Sequence, residues 1–403
     1  MIAAQGEPTS YPMVEDDALD VDPVYRDLQQ KGPIQVRLPH GEPGWLATSY
    51  DDVRTVFGDR RFGRAIGLEH DAPGMFPSAL VKDPTLLVNM DPPDHTRIRR
   101  LTSTAFAPAR VAGMSTDVQR MVDDLLDAMA AQGPSVDFVE AFASQLPVQV
   151  LLGILGVSQD KSTSFRGLID EMTSHHAEAE SRAKAKEELY AYIRGLIEER
   201  RAQRTDDLLG TLVQARDDDD RLSEDELLSL CVALWSGGFK TTLMQLGTTL
   251  YALMTHRSHW DELVADPELV PAACEELWRW IPSFRYGFPF VRWASEDVEL
   301  SGGVTVRAGE PVLPEFSVAN RDESVFPNGW DLDFHRDKPR PHLSLAFGPH
   351  YCMGAHVAQL QVRLAVDSLV RRFPAMELAV PASDIQWSNA SLMRAVEALP
   401  VTW

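Results

Sequence analysis

The chemistry of this chain is indicated most clearly by one cysteine, Cys352, which stands in a turn leading directly into a predicted helix. Apolar residues recur at helical spacing over residues 353–372, and no proline interrupts them. The amino-terminal amides and the dipole of such a helix stabilise a thiolate, which is a good metal ligand. Gly348 and Gly354 would let a flat macrocycle lie against the backbone, and His350 could meet its carboxylates. The alternative is a buried, inert cysteine at a helix start, so other segments must decide.

A second set of residues that could take part in chemistry lies in the middle of a predicted helix over residues 223–256. Ser223 and Glu226 form a capping box at the start of this helix. Gly237 and Gly238 each cost such a helix about 1 kcal/mol relative to alanine. Either a group lies close against the backbone or the helix bulges here, and close packing against another helix explains the glycines equally well. The polar residues that follow are Lys240, Thr241 and Thr242.

Two further pairs have a spacing that places both side chains on one helix face. Glu276 and Arg279 are three residues apart and can form an ion pair, which could be an ordinary surface pair. His95 and Arg99 are four residues apart on a helix that two prolines precede. A nucleic-acid site is the competing interpretation of this basic helix, but the net charge of -22 would repel a phosphate backbone.

Together these segments resemble the cytochrome P-450 family, whose ligand loop usually reads Phe-Gly-x-Gly-x-His-x-Cys-x-Gly. Around Cys352 the chain keeps Gly348, His350 and Gly354. It carries Leu345 where the family usually has phenylalanine and Ala346 where it usually has the first glycine. This departure is expected to alter the packing over the proximal haem face and to leave the ligand in place. The resemblance covers nearly the whole chain.

The central helix of that family crosses the distal haem face and carries Ala/Gly-Gly-x-Asp/Glu-Thr, which Gly237, Gly238 and Thr241 resemble. The resemblance implies that the Thr241 hydroxyl lies beside dioxygen. Lys240 stands at the acidic position, and a protonated lysine cannot relay protons as a carboxylate does. Lys240 could turn outward and leave proton delivery to waters held by Thr241 and Thr242. It could instead hold a substrate carboxylate or carbonyl, or mark an enzyme that couples substrate radicals without inserting oxygen.

The resemblance further implies haem b as the cofactor, with Cys352 as the axial ligand to its iron. Its propionates would be held by His95, Arg99, Arg292 and His350. Glu276 and Arg279 would have a structural role, as a buried pair that joins an arginine from a downstream irregular segment. The electron donor would dock against Arg97, Arg100, Arg110 and Arg363.

Positions that line the substrate pocket in this family are here mostly apolar or aromatic, with few polar anchors. Core packing explains any single one of them equally well. The predicted pocket residues are Met75, Phe76, Leu87, Asn89, Ala233, Ser236, Gly237, Phe288, Phe290, Leu392 and Met393.

The elements that must position these residues are mostly helical. The patterns predict helices over residues 16–30, 50–57, 95–105, 109–132, 138–155, 162–175, 179–203, 206–215, 223–256, 260–265, 270–281 and 353–372. Short strands are predicted over residues 34–38, 44–48, 288–293, 298–300, 304–306 and 311–314, the first two as a hairpin. The fold class is therefore mainly α with small β-sheets, and the resemblance implies a single-domain cytochrome P-450-type fold over residues 1–403, with residues 1–15 loosely ordered.

Composition limits the environment of the protein. Three cysteines provide neither a disulfide framework nor a paired zinc site. The longest apolar stretch, residues 146–157, is too short to cross a bilayer, and the amino terminus lacks the pattern of a secretory signal. The prediction is a cytoplasmic protein without a membrane or nucleic-acid partner.

The function predicted from the resemblance is that of a haem-thiolate oxidoreductase. It would be a monooxygenase that inserts one oxygen atom from O2 into a small secondary-metabolite substrate, with electrons from a separate ferredoxin or flavodoxin and its reductase. The alternative chemistry is oxidative C–C or C–N coupling of aromatic or peptide-derived substrates without oxygen insertion. A haem-based sensor or carrier is disfavoured because it should lack Thr241 and the basic docking surface.

Overall fold

The computed structural model describes residues 8–13, 18–38, 43–69, 83–103, 105–173, 178–218, 222–284, 291–337, 340–388 and 393–403. The helices of these residues are, in chain order, α1 (Val24–Gln29), α2 (Tyr50–Gly58), α3 (Ala65–Glu69), α4 (Asp94–Ser103), α5 (Pro108–Gly113), α6 (Ser115–Gln132), α7 (Leu146–Leu155), α8 (Ser162–Thr173), α9 (Ala179–Ala202), α10 (Leu208–Asp217), α11 (Glu224–Thr255), α12 (Arg257–Ala265), α13 (Val270–Trp280), α14 (Phe316–Ala319) and α15 (Ala355–Arg372). Short 3-10 turns cover Leu87–Asn89, Gln159–Lys161, Pro267–Leu269, Ser301–Gly303, Gly348–His350 and Ala382–Asp384, and a π-type turn covers Val139–Ala143.

The strands are short and form three sheets. They are β1 (Thr9–Ser10), β2 (Ile34–Arg37), β3 (Pro43–Ala47), β4 (Phe62–Gly63), β5 (Ser135–Asp137), β6 (Arg292–Ala294), β7 (Val298–Glu299), β8 (Thr305–Val306), β9 (Pro311–Pro314), β10 (Glu377–Leu378) and β11 (Pro400–Thr402). The strand orders are β1-β2-β3-β9-β6-β4, β10-β11-β5 and β7-β8. The predicted class, mainly α with small sheets, is confirmed.

Two compact units can be distinguished in the chain. The first comprises residues 1–84, 88–94 and 275–352, and the second comprises residues 85–87, 95–274 and 353–403. The chain passes from one unit to the other several times, so neither unit is a continuous segment. The organisation as one domain over residues 1–403 stays a prediction.

The first unit is built on the six-stranded sheet. The predicted hairpin of β2 and β3 is confirmed, with Ile34 opposite Leu46 in antiparallel register. β9 lies parallel to β3 and antiparallel to β6. In the pairing of β6 with β9, Arg292 lies opposite Val312. α2 packs its apolar face into the core beside this sheet, and it begins at Ser49, whose side chain accepts a hydrogen bond from the backbone N of Asp52.

The second unit is organised around α11. Its capping box is confirmed: Ser223 Oγ accepts from the backbone N of Glu226 at 3.1 Å, and Glu226 Oε2 accepts from the backbone N of Ser223 at 2.8 Å. α11 packs against α7, α9, α10 and α15, and α15 packs in turn against α5 and α6. The helix therefore runs through the interior of this unit, where most of its side chains are buried.

Three predicted helices differ from the structure for identifiable reasons. The helix predicted over residues 109–132 is divided into α5 and α6 after Gly113, a poor helix former. The helix predicted over residues 138–155 is divided into the π-type turn and α7, because Pro147 is tolerated only in a first helical turn. The helix predicted over residues 16–30 is described only as α1, which follows Pro23.

Among the described residues, one helix, α11, is long and apolar enough to cross a membrane by length and composition alone. Of its most apolar window, 59% is buried inside the structure. A buried core helix passes the same test, so this is weak evidence for a membrane span.

Candidate active site

The three cysteines have different surroundings. Cys231 in α11 and Cys274 in α13 are buried, and burial raises the pKa of Cys231 to about 12, so its thiol is inert near neutral pH. Cys352 is only partly buried and lies between the turn Gly348–His350 and α15. Its backbone N donates to the carbonyl of Leu345 at 2.8 Å, which fixes the loop just before the helix. Cys352 is thus the cysteine whose position suits a metal ligand.

The loop before Cys352 contains two residues in left-handed backbone conformations. Ala346 has φ of 61°, at the position where a glycine is usual in the resembling family, and this conformation costs an alanine about 1–2 kcal/mol. Gly348 has φ of 71°, and a Cβ atom there would lie 2.8 Å from the carbonyl oxygen of Phe57 and from the Cα of Gly58. The close approach of α2 therefore requires glycine at 348, a reason that differs from the predicted room for a macrocycle.

Gly354 precedes α15 with φ of -85°. In the described part of the chain, nothing lies within 4 Å of the position that a Cβ atom would take. The backbone here is accessible in the way that a flat group lying against it requires. The two glycines predicted together thus have different roles in the local structure.

We expect Gly348→Ala to lower the free energy of unfolding by about 2–5 kcal/mol, because a left-handed conformation and a backbone clash both penalise the added methyl group. Gly195→Ala on α9 is the control and should change it by less than about 1 kcal/mol, since Gly195 is exposed and no described residue lies within 4 Å of the position of its Cβ. Urea unfolding followed by circular dichroism measures both. Equal effects of the two substitutions would contradict this assignment.

Arg292, the predicted strand arginine, is 1% exposed and begins β6. Arg64, which the sequence analysis did not single out, is 4% exposed, and burial lowers its pKa to about 10. Burial, together with the charge of Arg64, lowers the pKa of Arg292 to about 9, and Asp91 acts in the opposite direction on both. Two neighbouring buried guanidinium groups offer several charge-assisted donors, so these residues fit an acidic cofactor such as one with propionate groups.

The prediction that Asn89 lines the substrate pocket is not supported by its surroundings. Its side chain is 1% exposed, accepts a hydrogen bond from Arg64 Nη2 at 2.7 Å and donates to the carbonyl of Asp83 at 2.8 Å. Both ends of the amide are engaged inside the unit, so Asn89 holds Arg64, and its place in the substrate pocket stays a prediction.

In the second unit, α4 carries basic residues on more than one of its faces. His95 is buried and Arg99 is partly exposed on the same face, as their spacing predicted. Arg97 and Arg100 are exposed on other faces. Arg97 pairs with Glu226, with 2.5 Å between Nη2 and Oε1, and this pair holds the pKa of Glu226 below its usual value. The charge of Arg97 is thus already paired with that of Glu226, which lies in the first turn of α11.

The two glycines of α11 have different surroundings, and close helix packing accounts for one of them. A Cβ atom at Gly238 would lie 3.5 Å from Leu151 Cδ1 of α7, which is close helix packing. Gly237 is exposed, and no described residue comes within 4 Å of the position of its Cβ. Thr241, one turn later on the same face, is partly exposed, and its hydroxyl donates to the carbonyl of Gly237 at 2.5 Å.

Thr242 and Lys240 flank this face. Thr242 is 3% exposed, and its hydroxyl donates to the carbonyl of Gly238 at 3.1 Å. Its role in holding water for proton delivery stays a prediction. Its position is 100° further round the helix, on the packed side. Lys240 is partly buried, with Nζ 5.8 Å from the ring centroid of Phe239.

The remaining predicted pocket residues are only partly described. Ala233, one turn before Gly237, is partly exposed on the same face of α11, Met393 is partly buried, and Leu87 is buried. The side chain of Ser236 is outside the described part of the chain. Also outside it lie Met75, Phe76, Phe288, Phe290 and Leu392.

Glu276 and Arg279 form a buried pair in the first unit. Arg279 donates to both carboxylate oxygens of Glu276, at 2.7 and 2.9 Å, and the two side chains are 2% and 0% exposed. Arg336, from the irregular segment before Pro341, donates to the same carboxylate at 2.8 Å. The remaining donors of Arg279 reach the carbonyls of Asn320, Gly329 and Asp331. One carboxylate thus organises two buried arginines.

His350 ends the turn before Cys352 and is partly buried. Sequence reasoning missed Arg64, and it expected an arginine from the downstream segment without identifying Arg336, because the partners of both residues are distant in sequence and meet only in the fold. Asp91 stands directly before the two prolines that precede α4, and its acceptor role at the start of α3 was not anticipated.

Comparison with known proteins gives consistent matches to one family. The model of the cytochrome P450 family matches residues 21–395. The mycinamicin IV hydroxylase/epoxidase of Micromonospora griseorubida is 41% identical over 98% of this chain and 99% of that protein. The nocardicin C N-oxygenase of Nocardia uniformis subsp. tsuyamanensis is 40% identical over 98% of each chain.

A crystal structure of a cytochrome P450 with biaryl coupling reactivity is also similar, with a TM-score of 0.88 at 38% identity. The match covers 96% of this chain and 97% of that chain. Because the family model and both relatives match most of its length, the chain belongs to the cytochrome P450 family, has that family's fold, and is an oxidoreductase that binds haem b through a cysteine thiolate.

Proposed function

We propose that the protein is a monooxygenase that inserts one oxygen atom from O2 into a small secondary-metabolite substrate. The observation that carries the proposal is the Thr241 hydroxyl on the accessible face of α11, held by the carbonyl of Gly237. Bound haem supplies the activation of dioxygen, which amino-acid side chains cannot carry out. A hydroxyl that donates its proton to a carbonyl still has free lone pairs, so Thr241 can accept a hydrogen bond from a water that delivers protons. The oxygenase activities named for the two relatives support the same chemistry.

The residues proposed to hold the haem are those of the sequence analysis. Cys352 is the axial thiolate, and the propionates are bound by His95, Arg99, Arg292 and His350. The burial of His95 and Arg292 supports this assignment, because desolvated donors bind a carboxylate more strongly than exposed ones. Gly354 supplies an accessible stretch of backbone beside the thiolate.

Oxidative coupling without oxygen insertion is the second candidate, and Lys240 is the observation that favours it. At the acidic position of the family this side chain carries positive charge beside Thr241, which opposes proton delivery through a carboxylate. The biaryl coupling reactivity of a relative at 38% identity shows that both chemistries occur near this sequence. We place oxygenation first because the Thr241 hydroxyl is retained and accessible.

With a substrate that is turned over, we expect Lys240→Glu to maintain or increase product formation, because it restores the usual proton relay. Lys240→Gln is the control of matched length without charge. Products formed under isotopically labelled dioxygen should carry one labelled oxygen atom in all three proteins. A label-free dimeric or cross-linked product would instead identify coupling. Weaker substrate binding in both variants would identify Lys240 as an anchor for a substrate carboxylate or carbonyl.

We also propose that the protein works in the cytoplasm, without a membrane or nucleic-acid partner, and receives electrons from a separate ferredoxin or flavodoxin. Of the four arginines predicted to meet this donor, Arg97 is engaged by Glu226. Arg100, Arg110 and Arg363 are exposed, and none forms an ion pair with a described residue. Arg110 and Arg363 lie on α5 and α15, which pack together. These three residues form the proposed docking surface for an acidic donor.

Arg100→Glu should slow reduction by ferredoxin severalfold at low salt and much less at high salt, because salt screens the attraction between exposed charges. Lys184→Glu on α9 is a matched control, since Lys184 is 78% exposed and α9 packs against α8, α10 and α11. Stopped-flow reduction at several ionic strengths measures the effect. A reduction rate that Arg100→Glu leaves unchanged at every salt concentration would exclude this surface.

A further inference from the structure

The first unit contains a buried polar cluster beside the strand arginine Arg292. β4 pairs with β6 in antiparallel register, with Gly63 opposite Trp293. Arg64 follows β4 directly, so the register brings it next to the start of β6. Its guanidinium donates to the carbonyl of Val291 at 2.6 Å, the residue immediately before Arg292.

Two other side chains complete the cluster. Arg64 Nη2 donates to Asn89 Oδ1 at 2.7 Å, and Asn89 is itself fixed by the carbonyl of Asp83. The carboxylate of Asp91 accepts hydrogen bonds at 2.8 Å from the backbone N of both Arg64 and Ala65. The Arg64 side chain and the backbone around it are therefore held by hydrogen bonds to separate segments of the chain.

The packing around Asp91 leaves little freedom. A Cβ atom on Gly63 would lie 2.5 Å from Asp91 Oδ2, so the carboxylate sits directly against the end of β4. Asn89, Arg64 and Arg292 are at most 4% exposed. A rigid arrangement of this kind fixes its charges in space, and fixed charges in a desolvated site act more strongly than exposed ones.

The charges of the cluster act on Arg292 in opposite directions. Arg64 disfavours the charged form of Arg292, whereas Asp91 favours it. The Arg292 guanidinium can donate charge-assisted hydrogen bonds to an ionised carboxylate, and haem carries such carboxylates.

We propose that Arg64 is a positioning residue for Arg292, and that the charges of Arg64 and Asp91 act in opposite directions on Arg292 where it meets one haem propionate. The inference rests on the proposed contact between Arg292 and the haem. Arg64 acts in two ways: it holds the backbone that precedes Arg292 through the carbonyl of Val291, and it contributes charge. Asp91 contributes the opposite charge while it orders the same segment.

These two contributions can be separated in the holoprotein by measuring the rate of haem loss to an acceptor apoprotein and the reduction potential of the haem. Arg64→Met and Asp91→Asn both remove hydrogen bonds or charge from the cluster. Each should accelerate haem loss by about tenfold, which is the change expected when about one stabilising interaction is lost. They should shift the potential in opposite directions. Arg64→Met lowers it because positive charge is lost, and Asp91→Asn raises it because negative charge is lost.

Arg64→Lys separates charge from geometry, since lysine keeps the charge and loses the planar fork. It should accelerate haem loss and leave the potential close to that of the wild type. Potentials that shift in the same direction in Arg64→Met and Asp91→Asn, or do not shift at all, would overturn the proposal, because a purely structural role predicts no opposed signs.

Arg292→Met is the reference variant for the underlying contact. If it changes haem loss and the potential while Arg64→Met and Asp91→Asn change neither, only the role of Arg64 and Asp91 is refuted. If Arg292→Met itself changes neither quantity, the contact of Arg292 with the haem is wrong, and the inference falls with it.

Discussion

Replacing Cys352 by serine is expected to abolish the spectrum of thiolate-ligated haem and the oxygenase activity. A serine hydroxyl is not deprotonated under conditions in which a thiolate forms, so the iron loses its anionic sulfur ligand. The fold should persist, because Cys352 is only partly buried and its loop is fixed by backbone contacts, including the hydrogen bond to Leu345. The reduced protein with carbon monoxide should lose the strongly red-shifted Soret band.

The matched control is Cys274→Ala, which removes a thiol that is 4% exposed inside α13. This variant should keep the red-shifted band and lose some stability, about 1 kcal/mol for a small buried group. A Cys352→Ser protein that retained the band would assign the ligand to another cysteine.

Replacing Glu276 by glutamine is expected to lower the free energy of unfolding by about 3–5 kcal/mol, a large part of the total stability of a protein. The carboxylate is 0% exposed and pairs with both Arg279 and Arg336, whose guanidinium groups stay buried when its charge is removed. The backbone N of Asp333 also donates to this carboxylate, at 3.2 Å. The loss should extend to the irregular segment that these arginines hold.

Glu275→Gln is the control at the neighbouring position. The Glu275 side chain is 45% exposed and faces His342 with 3.6 Å between the nearest atoms, so its loss should cost less than about 1 kcal/mol. Urea unfolding, followed by circular dichroism and by haem absorbance, compares the two variants. If Glu276→Gln were as stable as Glu275→Gln, the buried network would have no structural role.

Some pairs of site residues could be predicted from the sequence because their members are close together in the chain. Glu276 and Arg279 lie one helical turn apart, and their pairing follows from helix geometry alone. The same holds for His95 and Arg99 on α4 and for the capping box of α11. Each of these features depends on residues that are neighbours in the chain.

Contacts between distant segments could not be predicted in this way. Arg64 meets Asn89 and Val291 only after β4 has paired with β6, and Arg336 reaches Glu276 from an irregular segment. Strands of two or three residues, such as β10, carry no periodicity that could reveal them.

Two positions have surroundings that their place in the sequence did not indicate. Asn89 was predicted from its place in the family to meet substrate, and a buried arginine engages its amide. Thr242 was grouped with Thr241, although adjacent helical residues point about 100° apart, and Thr242 packs inside the unit. The first contact depends on a distant segment, and the second depends on which side of the helix is packed.

The most direct test of haem-thiolate chemistry is the absorption spectrum of the reduced wild-type protein with carbon monoxide. We predict the strongly red-shifted Soret band that thiolate ligation by Cys352 produces. A band at the position typical of histidine-ligated haem, or a purified protein that takes up no haem, would contradict it.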